Sequence, residues 1–366
     1  MRSSARIQVR HGRAVVPAIH KHRSVHESHH GSPPEREEVN GRDNRPAMTR
    51  SSWEGTKESS LFAAKRVFLY VSASEKHIGH RMTSGTLYQS GWNLDDVSWE
   101  CFEPGKVECG LLAAVKSAAL VEYNAPDYVA YLTRVFRDAS AQTRADIEQW
   151  GREEIQHGLA LGRWAELADP AFDFRGAFAR FQAGYKPPHF ATDDPDSVRG
   201  SRRGEMIARC VVESGTSSFY TAIRDAADEP VLKEIAGRIA ADEFRHYKLF
   251  LETLHRQDEP ELPWWRRLLV AVTRVSESSD DELAYAYYCA NVPPAQEAAT
   301  PYRRRRFGRA YNAQAMKLYR RHHIAKLVQM VAKAIGAEPR GTLARAASAM
   351  LWNVLRLRAS LARGTA

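Results

Sequence analysis

Cysteine is scarce in this chain of 366 residues, and long apolar runs are absent. Its four cysteines include no C-x-x-C pair, which speaks against a zinc ribbon, a rubredoxin-type iron site and a thioredoxin-like motif. Four thiols in so long a chain also argue against a disulfide scaffold, so we expect a reduced, cytoplasmic protein. No apolar run reaches the ~18 residues that a membrane span needs, and no secretory signal follows the N-terminal arginines.

Acidic residues are nearly absent from one end of the chain. Residues 302–366 contain 15 Lys and Arg but a single acid, Glu338, and residues 1–81 carry a net charge of +7. The intervening residues 82–301 have a net charge of −12, so the overall charge of +9 describes the ends and not the middle. No known nucleic-acid-reading motif accompanies the basic ends, and we therefore expect no nucleic-acid partner.

Composition divides the chain into three parts. Residues 1–81 are rich in Arg, His, Ser and Gly, which is typical of a disordered basic tail. Alternatively, Met82 is the native start and this tail is not part of the native chain. Residues 82–257 and 258–366 show helical apolar spacing and little strand-like alternation, so we predict an all-α fold. We expect residues 258–366 to form additional basic helices that pack on the helical body formed by 82–257.

Two short motifs carry the chemical signal. They are Glu154-Ile155-Gln156-His157 and Glu243-Phe244-Arg245-His246. At about 100° per residue, the Glu and His of each motif project from nearly the same face of a helix. Carboxylate oxygens combined with one or two nitrogens suit iron or manganese. A third motif, Glu252-x-x-His255, lies half a turn out of phase with Glu243, so we interpret it as a solvated pair.

Two further glutamates precede the motifs at similar spacing. Glu122 precedes Glu154 by 32 residues, and Glu213 precedes Glu243 by 30. Each interval has room for a helix, a short turn and a returning helix, which places both glutamates of a pair at the same depth of a helical hairpin. Two hairpins supply four carboxylates and two imidazoles to one core. Buried together, such carboxylates require a cation, so the pattern predicts a metal centre.

This pattern resembles the ferritin-like di-iron carboxylate superfamily, in which two helices each supply a Glu and two others each supply Glu-x-x-His. The resemblance covers roughly residues 107–257, and the motifs are similar to those of the acyl-acyl-carrier-protein desaturase and rubrerythrin-like branches. It implies a ferritin-like four-helix bundle that holds two iron ions, with manganese as the alternative metal. The implied metal ligands are Glu122, Glu154, His157, Glu213, Glu243 and His246.

The same resemblance implies roles for three neighbouring residues. Glu153 and Asp242 precede the motif glutamates, and similar desaturases use such acids to orient the metal-bound histidines. The alternative for both is an acid on a solvated face. Thr216 follows Glu213 by one turn and matches a threonine on the oxygen-binding side of desaturase-like clusters, which makes it the implied catalytic residue. The alternative for Thr216 is a hydrogen bond back to its own helix.

The resemblance implies an O₂-dependent oxidoreductase that desaturates or hydroxylates an acyl chain or another small organic substrate. Because the chain has no flavin, nicotinamide or iron–sulfur signature, electrons are expected from an external donor. The alternatives are a rubrerythrin-like peroxide scavenger, an iron-handling protein, and a non-enzymatic binding module with a structural metal. Candidate partners of the basic C-terminal helices are an acidic carrier protein, an anionic membrane surface and the acidic middle of the chain itself. A homodimer is compatible with the same patterns.

Overall fold

Helices dominate the computed structural model, which describes residues 91–185, 196–277 and 281–363. No strand occurs in these ranges, so the all-α prediction is confirmed. The predicted tail, residues 1–81, lies outside the described residues, and the division into 82–257 and 258–366 stays a prediction. The α-helices of the described residues are α1 Cys109–Tyr123, α2 Ala125–Val135, α3 Ala141–Ala168, α4 Phe174–Gly184, α5 Arg202–Ala226, α6 Pro230–His255, α7 Trp264–Glu277, α8 Asp281–Asn291, α9 Arg304–Leu318, α10 Arg321–Ala334 and α11 Thr342–Arg363.

The first hairpin consists of α1 and α2 running out and α3 returning. The outgoing arm is interrupted at Asn124, because Pro126 in the first turn of α2 has no amide hydrogen to continue the helical ladder. The hydroxyl of Ser140 caps the start of α3 by accepting a hydrogen bond from the Thr143 amide at 3.1 Å. Glu122 and Glu154 therefore lie on adjacent helices, as their spacing predicts.

The second hairpin consists of α5 and α6, which pack against each other along their lengths. Glu229 caps α6 by accepting hydrogen bonds from the Val231 and Leu232 amides. The same buried carboxylate accepts a hydrogen bond from the indole of Trp164 on α3 at 2.7 Å. One capping residue thus also ties the second hairpin to the first.

The C-terminal helices pack on both hairpins. Asn291 of α8 donates to the carbonyl of Ala113 on α1, and Tyr247 of α6 donates to the carbonyl of Met330 on α10. The spacing of Leu318, Ile324 and Val331 predicts one helix over 302–335, but the structure has two, α9 and α10. The break occurs because Arg320 has extended backbone angles and its amide donates to the imidazole of His323, which starts α10.

The segment between the hairpins also contains a helix. Phe174, Phe178 and Phe181 of α4 are buried in the core beside α1, which explains why a connecting segment carries so many aromatic residues. No helix in the described part of the chain has the length and hydropathy needed to cross a bilayer.

Candidate metal centre

The two hairpins bring all six predicted ligands together in the core. Each residue is at most 7% exposed. Their ligand atoms form two overlapping groups, and within each group every atom lies within 4.8 Å of the others. The groups are Glu122, Glu154, His157 and Glu243, and Glu154, Glu213, Glu243 and His246. Glu154 and Glu243 belong to both groups, so they stand between two cation-sized positions.

Each histidine is held by the acid that precedes the other motif's glutamate. The Nε2 atom of His157 lies 3.0 Å from Asp242 Oδ2, and that of His246 lies 2.7 Å from Glu153 Oε2. Both acids are buried, so the alternative of a solvated face is wrong for each. Because Nε2 of each ring is bound to its acid, Nδ1 of each ring faces the glutamates.

Trp92 is a neighbour of the centre that sequence reasoning missed. Its indole donates to Asp242 Oδ2 at 2.8 Å, and its ring stacks on His157 with an interplanar angle of 7°. The Arg238 guanidinium lies over the same indole, 5.7 Å from the ring centroid. Trp92 precedes every helix of the described chain, and no helical spacing connects it with the motifs.

Arg245 connects the two acids that hold the histidines. Its Nη1 atom donates to Asp242 Oδ1 at 2.7 Å, and its Nη2 atom lies 3.6 Å from Glu153 Oε2. Arg245 lies in the second motif, but one of the two acids that it contacts, Glu153, belongs to the first hairpin. One cation therefore balances both acids without contacting the ligands.

Two hydroxyl groups donate hydrogen bonds to two of the glutamates. Tyr220 on α5 donates to Glu122 Oε1, and both side chains are buried. Thr216 lies 2.5 Å from Glu243 Oε2 and 3.3 Å from the carbonyl of Val212. Since a hydroxyl has one proton to donate, the short contact identifies Glu243 as its acceptor. Thr216 thus lies at the centre, while its predicted catalytic role stays a prediction.

The atoms facing the middle of the cluster fit metal ions. Each of these atoms is buried and has no hydrogen-bond partner among the described residues. The atoms are Glu154 Oε1, His157 Nδ1, Glu213 Oε2, Glu243 Oε1 and His246 Nδ1. The Nδ1 atoms of His157 and His246 lie 3.1–3.2 Å from carboxylate oxygens, but the atoms are not aligned for a hydrogen bond. Buried polar atoms normally have partners, and these are carboxylate and imidazole donors. The buried Glu and His clusters can therefore hold metal ions.

The carboxylates repel one another in this buried space. Burial raises the pKa of Glu213 to about 8, and burial together with Glu243 and Glu122 raises the pKa of Glu154 well above its ordinary value. Burial also opposes ionisation of Glu243, but the charge of the two nearby imidazoles lowers its pKa. Cations neutralise such a cluster and displace its protons.

A third group of potential ligands, Asp225, His322 and His323, lies where α5 ends and α10 begins. The Nδ1 atom of His323 accepts a hydrogen bond from the Arg320 amide at 3.0 Å. Its Nε2 atom must then carry the proton, which it donates to Asp225 Oδ2 at 3.0 Å. With both nitrogens engaged, His323 joins α10 to α5 and is not available as a metal ligand.

A surface groove of about 870 Å³ lies along α6. Charged residues line it, and none of the predicted site residues does. This groove is therefore not the apolar cavity that a substrate oxidase requires next to its metal ions.

No protein-family model matches the chain, and a search of curated proteins found no match. The site geometry therefore carries the functional argument by itself.

Proposed function

We propose that this chain is a ferritin-like di-iron oxidoreductase, which activates O₂ to desaturate or hydroxylate an acyl chain or another small organic substrate. The two hairpins of α1–α3 and α5–α6 then correspond to the four-helix bundle of that superfamily. The observation that carries the proposal is the pair of overlapping ligand groups that share Glu154 and Glu243. One Glu per outgoing helix and Glu-x-x-His per returning helix is the ligand set of di-iron and di-manganese carboxylate proteins.

In this proposal some residues of the site bind the ions, and others orient the residues that bind them. Two iron ions bound to the six ligands would supply the redox chemistry. Asp242 and Glu153 fix the ring orientation of the histidines and raise the basicity of the nitrogens that face the ions. Thr216 and Tyr220 restrict the carboxylates of Glu243 and Glu122.

Electrons come from an external donor in this proposal. Trp92 supports it, because its indole donates to Asp242 and stacks on His157, and the Arg238 guanidinium lies over the same ring. Since the Arg238 side chain is 32% exposed, these contacts form a path from solvent to one ligand of the centre. Without a reductant, protein supplied with O₂ and substrate is not expected to turn over repeatedly.

Metal content tests the proposal directly. We expect about two iron ions per chain in the wild-type protein, with an absorption band of an oxo-bridged pair. The variant Glu154→Ala should lose the iron and the band, because Glu154 belongs to both ligand groups. The measurements are elemental analysis and optical spectroscopy of the purified proteins after loading with iron.

Glu252→Ala is the matched control. It removes a glutamate from another Glu-x-x-His sequence on the same helix, but both Glu252 and His255 are exposed. This variant should keep the metal and the band. A folded wild-type protein that binds no iron, or equal metal content in both variants, would contradict the proposal.

A further inference from the structure

Helix α7 carries its apolar face on the outside of the molecule. Six large apolar side chains, each 41–68% exposed, share an arc of about 140° on this helix. They are Trp264, Trp265, Leu268, Leu269, Val272 and Val275. We refer to these six as the α7 stripe. Surface helices of globular proteins ordinarily turn such a face to the core.

Polar residues attach α7 to the rest of the molecule. Glu277 forms ion pairs with Arg199, in the segment before α5, and with Arg274 on α7 itself. Arg267 lies against Gly336, just after α10. On the inner side, Val270 packs against the buried core and Ala271 is itself buried. These contacts and the Glu277–Arg199 ion pair hold α7 with the α7 stripe facing away from the body.

Arginines flank the α7 stripe on both sides. Arg266 and Arg267 lie about 60° beyond its two edges, counted at ~100° per residue. Two adjacent tryptophans, a continuous apolar arc and basic flanks are the features of helices that lie in the plane of a membrane interface. Tryptophan prefers the headgroup level of a bilayer, where arginines meet lipid phosphates.

Charge favours a lipid surface over a second copy of the chain. In a symmetric pair of α7 helices the flanking arginines would need acids from the partner, but Glu277, the single acid of the helix, is already bridged by two arginines. Each copy also carries a net charge of +9, of which residues 302–366 contribute +14. An anionic bilayer supplies the missing negative charge.

We infer that the α7 stripe docks the protein on the surface of an anionic lipid bilayer, with the six apolar side chains at the interface and the exposed Arg266 against phosphates. The inference goes beyond the proposed oxidoreductase function and does not depend on it, since no residue of α7 belongs to the metal centre. The docking is peripheral and leaves α7 on one side of the membrane.

Vesicle binding by the full-length chain tests this inference. The probes are phosphatidylcholine vesicles and vesicles in which about a third of the lipid is phosphatidylglycerol. We expect sedimentation with the anionic vesicles, a blue shift of tryptophan emission, and weaker binding at about 1 M salt. The variant Trp264→Ser/Leu268→Ser should lower the partition coefficient about tenfold or more.

Met350→Ser/Leu357→Ser is the matched control, because it removes two exposed apolar side chains from α11. This control should bind vesicles like the wild type, and circular dichroism should show both variants folded. Equal binding by wild type and Trp264→Ser/Leu268→Ser would overturn the inference. So would light scattering that shows a wild-type dimer, lost in that variant, together with no vesicle binding.

Discussion

At the scale of single residues, the sequence predicts the six residues that meet in the core, and the resemblance adds Glu153, Asp242 and Thr216, but neither gives the contacts among them. Helical periodicity is enough to place the two glutamates of each hairpin at one depth, because it depends only on the rise per residue. The contacts of Trp92 and Tyr220 depend on how separate helices pack, and no local pattern encodes them. The same limit applies to Asp242, whose partner is the histidine of the other hairpin.

The variant Asp242→Asn tests the orienting role at this scale. Asparagine keeps an oxygen that can accept from His157 but removes the negative charge that raises the basicity of the imidazole. We expect the affinity of the metal-free protein for Co²⁺ or Mn²⁺ to fall about 10–100-fold while the fold is kept. Metal titration followed by absorption or calorimetry measures the affinity.

The control for this substitution is Glu252→Gln, which neutralises an exposed acid on the same helix. Its affinity should equal that of the wild type. If both variants lose affinity equally, the effect reflects the net charge of α6, and the assigned role of Asp242 is wrong.

At the scale of helices, the sequence predicts the long elements well. Apolar spacing predicts helices over 141–168, 203–226 and 230–257, and the bounds of α3, α5 and α6 differ from these by at most two residues. The break between α9 and α10 was not predicted, because it depends on a cap formed by the His323 side chain and not on Gly or Pro. Helix α4 was not predicted, because Pro170 precedes it and Pro187 and Pro188 follow it, which is typical of a connection.

Gly158 lies where α3 and α1 approach each other closely. A Cβ atom at this position would lie 2.6 Å from the backbone nitrogen of Tyr123, which cannot move aside like a side chain. We expect Gly158→Ala to destabilise the protein by about 1–3 kcal/mol and to disturb the neighbouring His157. Thermal or denaturant unfolding of the metal-free protein gives the difference.

Gly215 on α5 provides the opposite case. No atom lies within 4 Å of the Cβ that Gly215→Ala would add, and alanine is a better helix former than glycine. This variant should be as stable as the wild type or more stable by up to about 1 kcal/mol. Similar destabilisation of both variants would mean that the close packing at Gly158 is not the cause.

At the scale of the whole molecule, the charge pattern predicts that the basic C-terminal helices accompany the acidic middle, and contacts such as Tyr247 with Met330 join the two. The sequence does not show that α10 is fixed through His323 and Asp225. Burial lowers the pKa of His323 from its ordinary 6.5, and the imidazole stays neutral because Nδ1 accepts from the Arg320 amide.

Acidification should therefore weaken the attachment of α10. The unfolded chain takes up a proton on His323 near pH 6.5, whereas the folded chain does so only at lower pH, so stability falls as the pH drops below about 6.5. The expected result is that His323→Ala loses stability at about pH 8 but shows a smaller further loss at about pH 5.5 than the wild type.

His255 serves as the control, because this exposed histidine lies at the C-terminal end of α6, outside the group formed by Asp225, His322 and His323. His255→Ala should keep the wild-type dependence on pH in thermal unfolding. An unchanged pH dependence in His323→Ala would assign the acid sensitivity to other groups.

The crossed pairing of histidines and acids also has a consequence for folding. Neither hairpin can complete a histidine with its acid from its own residues, because Asp242 serves His157 and Glu153 serves His246. The metal centre therefore forms only when the second hairpin docks on the first, across the segment that contains α4. Ions that bind both ligand groups would therefore stabilise this long-range contact between the hairpins and not either hairpin alone.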